Sequence, residues 1–405
     1  MQKTRWLILF LLVFVWSCSD DESGPETLNT EFLVKSEKIY TYSKSLLSSA
    51  VSSAVLEYPE LAAFVDQLQY DVSVYYVEYK TDYIANSTIT ASGLVAVPET
   101  EGVPTMLLSF QNGTNVEHAE APSENPVSGD FVVLYAAASL GYTVCVADYI
   151  GFGASDDKVH PYHQKFLFQK SIVNMIKAVD ELESLGNTAL LLNGDLFFTG
   201  YSLGGWASLV AHKYVEDNGI AGFNLVGTVC GAGAYNLLEM RDYLLQQTNY
   251  VQPYYLPLLF YGFSSTGEIE SDLSIYFSEP YASLIPSLYD GLHSGSEINA
   301  ELTSDVTALL AEGLVADPAL PKFNMLTLAL QNNSQDAWVN EKPIHFYHGS
   351  ADVHVPGVIS ENLVTEFRNL GQDEALIQYT TLTGADHITG SMPMFIQVLA
   401  YLQNR

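Results

Sequence analysis

Apolar and polar positions along the chain predict strands that alternate with helices. Residues 70–79 and 88–97 alternate apolar and polar side chains, which predicts antiparallel strands with one solvated face. Residues 104–110 form a continuous apolar run, which is typical of a strand buried on both faces. Further strand-like runs follow at residues 142–148, 196–199, 225–230, 344–348 and 375–382, and helical periodicity occurs at 131–140, 164–185, 203–217, 357–370 and 391–403. This alternation predicts an α/β fold with a mostly parallel, doubly wound sheet.

Two segments depart from this alternation. Residues 43–56 and 59–68 carry apolar positions at helical spacing and predict two short helices ahead of the sheet. Residues 235–340 contain no strand-like run, read as helical and are rich in Tyr and Phe, which look exposed. An insertion of this length between the sixth and seventh predicted strands is too long for a loop. We therefore expect core segments at residues 43–234 and 341–405, with residues 235–340 forming a helical cap over the carboxyl edge of the sheet.

The first residues have the pattern of a targeting signal. Lys3 and Arg5 precede an apolar run at residues 6–16, which is too short to span a bilayer comfortably and predicts a signal peptide at residues 1–17. Cys18 follows, in a context that resembles the lipobox of bacterial lipoproteins, and residues 19–22 resemble the acidic export tag of surface-exposed lipoproteins in Bacteroidetes. The resemblance implies an outer-membrane lipoprotein anchored through lipid on Cys18 and exposed at the cell surface. A secreted or periplasmic protein is the alternative, and residues 18–42 are predicted to be a flexible tether.

The amino-acid composition excludes one class of partner and indicates the state of the cysteines. It has 405 residues, a formal net charge of −31 and only 16 Lys and Arg residues, so it lacks the basic surface that a nucleic-acid partner requires. Beyond Cys18 the cysteines are Cys145 and Cys230, each within an apolar run. We expect both to be buried free thiols rather than part of a disulfide scaffold or a metal site.

The strongest chemical signal is a serine between glycines at a strand-to-helix junction. The apolar run at residues 196–199 leads into Gly200-Tyr201-Ser202-Leu203-Gly204, and a segment of helical spacing follows. This arrangement predicts a nucleophile elbow, a sharp turn that presents the serine hydroxyl at the sheet edge. Its strained backbone requires neighbours without bulky side chains, which Gly200 and Gly204 provide.

A serine nucleophile needs a base and a carboxylate, and position along the chain selects them. His387 lies in a glycine-led loop after the last predicted strand and is the candidate base. Asp352 lies in the loop that leaves the strand at 344–348 and is the candidate acid. Asp386 is the rival, but adjacent side chains diverge, so its contact with His387 would have poor geometry.

The order Ser202, Asp352, His387 is that of α/β-hydrolases. Over about residues 70–403 the chain resembles this superfamily, and within it the secretory lipase group and related bacterial lipoprotein esterases. The motifs that carry the resemblance are residues 111–114, 148–155 with 160–162, 200–205 and 348–352. Related proteins often have His-Gly in the loop after the third strand, whereas Asn112 occupies the histidine position here.

The same elbow predicts an oxyanion hole. One donor is the N–H of Leu203 at the start of a helix, and the second comes from the 111–114 loop, with Thr114 preferred and Gly113 next. These groups supply acyl-transfer chemistry without a metal or organic cofactor.

Three functions compete. The first is a serine carboxylesterase or lipase that forms an acyl-enzyme on Ser202 and takes small-molecule esters with an apolar or aromatic acyl group. The second is a serine peptidase or aminopeptidase of the same fold, acting on short peptides. The third is a non-catalytic surface lipoprotein that binds glycan or lipid.

Overall fold

A single nine-stranded sheet organises the protein. The computed structural model describes residues 30–128 and 131–403, so the predicted signal peptide and Cys18 lie outside the described residues. The strands are β1 (Leu33–Tyr42), β2 (Val72–Asp82), β3 (Thr88–Pro98), β4 (Thr105–Gln111), β5 (Thr143–Ala147), β6 (Leu192–Tyr201), β7 (Asn224–Gly231), β8 (Ile344–Gly349) and β9 (Ile377–Leu382). Their spatial order is β1-β2-β3-β5-β4-β6-β7-β8-β9. The pairs β1–β2, β2–β3 and β3–β5 are antiparallel and the remaining pairs are parallel, which confirms the predicted mostly parallel sheet.

Helices cover both faces of the sheet. They are α1 (Lys44–Ala54), α2 (Ala62–Val65), α3 (Val132–Ser139), α4 (Lys165–Ser184), α5 (Leu203–Asn218), α6 (Leu237–Leu245), α7 (Tyr255–Thr266), α8 (Tyr281–Leu288), α9 (Gly295–Glu301), α10 (Val306–Leu309), α11 (Glu312–Ala316), α12 (Asn324–Asn333), α13 (Val358–Asn369) and α14 (Ser391–Gln403). Apolar side chains of α1, α2, α3 and α14 pack in one core, and those of α4, α5 and α13 pack in the other. All five residues of β5 are buried between these layers, as expected for a central strand of a doubly wound fold.

The edge strand β1 corrects the predicted tether. Residues 33–42 pair with β2 instead of forming a flexible linker, so the tether prediction is wrong over this part of residues 18–42. The Glu181 side chain on α4 fixes the entry to the strand, because its carboxylate oxygens accept hydrogen bonds from the N–H groups of Glu31, Phe32 and Leu33 at 2.7, 2.9 and 2.6 Å. Within β1 only Leu33 is buried, and this polar edge strand therefore lacks the apolar pattern used to recognise strands.

The predicted insertion is helical and lies where a cap was expected. Residues 235–340 contain α6 to α12 and, among the described residues, no strand beyond isolated bridges. The insertion falls between β7 and β8, one strand later than predicted, because β1 was not counted. Several of its aromatic side chains form the core of the cap rather than an exposed surface; the fully buried ones include Phe263, Tyr276, Phe277 and Phe323.

Two further observations concern the cysteines and the helices of the described residues. Cys145 and Cys230 are buried free thiols, as predicted. Of the helices in residues 30–128 and 131–403, none is long and apolar enough to cross a membrane.

Candidate active site

Ser202 occupies a strained turn between β6 and α5. Its backbone has φ 58° and ψ −122°, a conformation that costs a non-glycine residue about 1–3 kcal/mol. The Ser202 N–H donates to the Gly231 carbonyl of the neighbouring strand at 2.8 Å, which holds the turn against the sheet. The predicted elbow therefore forms with the expected backbone strain.

The glycines of this turn make room for backbone rather than for substrate. A Cβ on Gly204 would lie 2.0 Å from the Gln111 carbonyl oxygen, and one on Gly200 would lie 2.5 Å from the same oxygen. On the other side, a Cβ on Gly205 would lie 2.2 Å from the Gly231 oxygen. Since contacts this short are sterically impossible, glycine at these positions lets the loop after β4 press directly against the elbow.

The three residues predicted as a catalytic triad form a hydrogen-bonded chain. The Nε2 atom of His387 lies 2.8 Å from Ser202 Oγ, and its Nδ1 atom lies 2.7 Å from Asp352 Oδ2. Asp352 follows β8 and His387 follows β9, so the carboxyl ends of adjacent parallel strands deliver the acid and the base to one edge of the sheet. The side chains of Asp352 and His387 are buried, which limits competition from water for these bonds.

Asp352 is held as an anion by its surroundings. Its Oδ1 atom accepts hydrogen bonds from the N–H groups of His354 and Val355, both at 2.9 Å. Burial alone would raise the pKa of the Asp352 carboxyl, but hydrogen bonds from His348 and His387 outweigh burial and hold that pKa well below its usual range. An ionised Asp352 fixes the His387 tautomer whose Nδ1 carries the proton.

His348 is also part of this arrangement, although its position within a buried strand gave no indication of a role in the site. Its Nε2 atom lies 3.2 Å from Asp352 Oδ2 and 2.8 Å from the Val355 carbonyl oxygen. Both neighbours are acceptors, so Nε2 carries the proton, and Nδ1 accepts from the Ser360 hydroxyl at 2.6 Å. The spacing of four residues from the acid, on the strand that carries it, was the available signal.

Asp386, the rival acid, has a different role. Its Oδ1 atom accepts from the N–H groups of Ile388 and Thr389 at 3.0 and 2.8 Å, and from the Thr389 hydroxyl. The side chain is therefore committed to the turn that carries His387. Asp352, and not Asp386, is the carboxylate that contacts the imidazole.

The residues predicted for the oxyanion hole lie around the elbow. Leu203 is the first residue of α5, so its N–H has no acceptor within the helix. Gly113 and Thr114 lie in the loop directly after β4. Two tyrosines fix this loop: the Thr114 hydroxyl lies 2.8 Å from the Tyr162 hydroxyl, and the Tyr149 hydroxyl donates to the Asn112 carbonyl at 3.3 Å.

An apolar cavity of about 60 Å³ opens beside Ser202. Its lining combines the elbow, the loop at residues 162–163 and the first two helices of the cap: Tyr162, His163, Ser202, Leu203, Ala234, Leu237, Met240, Leu244, Tyr250, Tyr255, Leu256, Leu259 and Val355. Burial lowers the pKa of His163 to about 3, so this imidazole is neutral near pH 7. The lining contains no Asp, Glu, Lys or Arg.

A second apolar cavity of about 40 Å³ adjoins the first within the cap. The two share Leu237, Met240, Leu244, Leu256 and Leu259. Both are lined by side chains of α6 and α7, and we call the two cavities together the aliphatic passage. Within residues 30–128 and 131–403, no group of three or more His, Cys, Asp or Glu side chains is arranged to hold a metal ion.

Several solved structures have a fold similar to that of this chain. A protein of Legionella pneumophila assigned as a hydrolase is 22% identical and has a TM-score of 0.80, with 92% of this chain and 98% of that one covered. The rice cell wall degrading esterase LipA of Xanthomonas oryzae is 20% identical, with a TM-score of 0.78 over 93% and 98% of the two chains. Lipase A of Candida antarctica in its closed state is 17% identical, with a TM-score of 0.65 over 90% and 80%.

No protein-family model and no curated protein matches the chain. The structural matches nevertheless cover nearly the whole chain. The chain therefore has the fold of the α/β-hydrolase superfamily, as its sequence motifs predicted.

Proposed function

We propose that this protein is a serine hydrolase that cleaves carboxylic esters with aliphatic acyl groups. The observation that carries the proposal is the hydrogen-bonded chain from Ser202 through His387 to Asp352, at the mouth of an uncharged apolar cavity. An esterase and a lipase among the proteins of similar fold support the same reaction class.

In the first half of the reaction, Ser202 Oγ attacks the ester carbonyl carbon while His387 Nε2 takes the hydroxyl proton. The N–H groups of Leu203 and Thr114 are proposed to stabilise the negative oxygen of the tetrahedral intermediate, helped by the dipole of α5. When the intermediate collapses, His387 gives its proton to the alcohol oxygen, and the alcohol leaves an acyl group on Ser202.

In the second half, water attacks the acyl-enzyme and His387 accepts a proton from it. The second intermediate expels Ser202 Oγ, which regains its proton, and the carboxylic acid departs. Asp352 stays ionised throughout and stabilises the imidazolium that forms twice in each cycle.

The acyl group is proposed to occupy the aliphatic passage beside Ser202. The five residues shared by its two cavities are all leucine or methionine. Tyr250 and Tyr255 contribute aromatic surface near Ser202, and Phe260 does so in the second cavity. This lining favours a straight alkyl chain over the aromatic acyl group that the cap composition also allowed.

A peptidase is disfavoured by the same lining. An aminopeptidase needs acidic side chains to hold a free amino terminus, and the cavity at Ser202 has none. A non-catalytic binding protein is also disfavoured, because binding alone does not require a serine in a strained turn.

Rates on two substrate panels test the proposal. We expect hydrolysis of p-nitrophenyl esters of graded chain length and none of aminoacyl p-nitroanilides. Ser202→Ala should lower the ester rate by about 10⁴- to 10⁶-fold while the circular dichroism spectrum is unchanged. Faster cleavage of the amides than of the esters, or full ester activity of Ser202→Ala, would overturn it.

We further propose that the enzyme acts at the cell surface, anchored to the outer membrane by lipid on Cys18. The basic start and apolar run before Cys18, and the acidic residues after it, support this. With β1 beginning at Leu33, the tether is shorter than the sequence predicted. Cys18→Ala should move active enzyme from the membrane fraction to the soluble fraction, and protease added to intact cells should digest the wild type. A protein protected in intact cells would contradict surface exposure.

A further inference from the structure

A larger cleft, which shares no lining residue with the acyl passage, lies near the active site. It has a volume of about 610 Å³, against about 60 Å³ for the cavity at Ser202. Its lining includes Gly113 and Thr114 of the loop after β4 and also Ile388, the residue after His387. The cleft therefore borders both the loop of the proposed oxyanion donors and the turn that carries the proposed base.

This position fits one part of an ester. His387 must protonate the alcohol oxygen as it leaves, so the alcohol has to lie on the His387 side of the scissile bond. The acyl chain is accounted for by the aliphatic passage lined by Leu203 and Tyr162, neither of which lines the larger cleft. The space beside Gly113 and Ile388 is therefore the space available to the leaving alcohol.

The lining of the cleft differs in chemistry from the acyl passage. Polar side chains come from Asn112, Asn115, Glu120, Asn125 and Ser391, interspersed with phenylalanines. Amide groups both donate and accept hydrogen bonds, and a carboxylate accepts two or more, which suits hydroxyl groups because each of them does both. The phenylalanines supply flat apolar surface of the kind that packs against the C–H faces of a ring.

The charged residues that line the cleft limit which class of alcohol it can bind. No Lys or Arg lines the cleft, and Glu120 carries a negative charge, so an anionic alcohol such as a phosphorylated one is disfavoured. Glu120 is exposed, and its Oε2 atom already accepts from the Val116 N–H at 3.3 Å. Because Glu120 is exposed, water screens its charge, and a single screened carboxylate binds a cation weakly. The three amides, of which Asn115 also donates to the Glu120 carbonyl at 3.0 Å, therefore favour a neutral alcohol over a cationic one.

We infer that the cleft binds the leaving group and that this group is a bulky, neutral, polyhydroxylated alcohol of monosaccharide size or larger. The volume lies within the range of about 300–1,000 Å³ that is typical of small-molecule sites. The inference rests on the proposed ester hydrolysis and adds the alcohol half of the substrate to it.

The test compares 6-O-butanoyl methyl glucoside with cyclohexylmethyl butanoate. Both are butanoates of a six-membered ring joined through one methylene, and the glucoside adds three hydroxyl groups, a ring oxygen and a methoxy group. The quantity measured is kcat/KM, because it covers the steps in which the leaving group is still present. We expect the wild type to prefer the glucoside ester by about tenfold or more.

Variants at Asn125 separate the cleft from the catalytic groups. Its side chain is exposed on the cleft wall and is not part of the triad or the proposed oxyanion hole. Asn125→Leu removes the amide and should lower the preference for the glucoside about three- to tenfold. Asn125→Trp fills the space and should lower the preference further. Asn187→Leu, a matched change at an exposed asparagine between α4 and β6, should leave the preference unchanged.

The outcomes distinguish the two levels of the proposal. Hydrolysis of ethyl butanoate without preference for the glucoside, or a preference that Asn125→Leu and Asn125→Trp leave intact, overturns the leaving-group inference alone. Faster hydrolysis of butanoylcholine than of the glucoside ester overturns the assignment of a neutral alcohol. An enzyme that hydrolyses none of these esters overturns both the inference and the proposed function.

Discussion

At the scale of single residues, Asp352 and Asp386 have different roles because their side chains have different hydrogen-bond partners. Asp352 bonds the imidazole and two backbone N–H groups, whereas Asp386 bonds the turn that carries His387. The sequence predicted this choice from position alone, since side chains adjacent in the chain diverge. It did not predict His348 as a further contact of Asp352, because a histidine inside a buried strand has the same pattern whether or not it touches the site.

Exchanging each acid for its amide tests this division. Asp352→Asn should lower kcat/KM on p-nitrophenyl butanoate by about 10⁴-fold, because an amide favours the wrong tautomer of His387. Asp386→Asn should change kcat/KM less than about tenfold, acting only through the turn. The contradictory result is a greater loss from the Asp386 variant while both proteins keep the wild-type melting temperature.

At the scale of elements, strands with apolar runs and helices with regular spacing were predictable, and the polar edge was not. The core strands from β2 to β9 and the helices α3, α4, α5, α13 and α14 lie within a few residues of their predicted bounds. β1 was not predicted because it is stabilised by pairing with β2 and by three hydrogen bonds to the Glu181 carboxylate, rather than by burial of its own side chains. The cap was recognised by its length and missing strands, but its aromatic residues proved to be largely its own core.

The cap helices α6 and α7 should set the preference for acyl chain length. Met240 lies in the wall shared by the two apolar cavities, so Met240→Trp should close the passage between them. Each methylene that enters the passage contributes about 0.8 kcal/mol, or about fourfold in kcat/KM. The variant should therefore lose this gain for longer esters and keep wild-type rates on acetate and butanoate.

Leu328→Trp, at an exposed position of α12, is the matched control and should keep the wild-type profile. An unchanged chain-length profile in Met240→Trp would mean that the acyl group does not enter the cap.

At the scale of the whole molecule, buried histidines couple stability to pH. Burial lowers the pKa of His160 and of His345 to about 4 and that of His163 to about 3, whereas an unfolded histidine titrates near ~6.5. Below pH ~6.5 these histidines are protonated in the unfolded chain but remain neutral in the folded chain until the pH is much lower. The free energy of unfolding therefore falls as the pH falls below ~6.5. Glu216, whose pKa lies near 2 because hydrogen bonds outweigh burial, adds a further loss below ~4.3.

We therefore expect the melting temperature to fall between about pH 7.5 and about pH 5.5. His160→Gln should reduce this fall, because it removes one group whose protonation favours unfolding. His293→Gln should not reduce it: the Asp290 carboxylate raises the pKa of exposed His293, so its contribution is present at low pH and lost as the pH rises. A fall of equal size in wild type and His160→Gln would contradict this account.

Covalent labelling shows whether Ser202 is the nucleophile of an acyl-transfer site. A fluorophosphonate should add one label per chain, located by peptide mass spectrometry on Ser202, because this hydroxyl lies 2.8 Å from the imidazole nitrogen that activates it. His387→Ala should abolish the label while the protein stays folded. Labelling at another residue, or equal labelling of wild type and His387→Ala, would contradict the account.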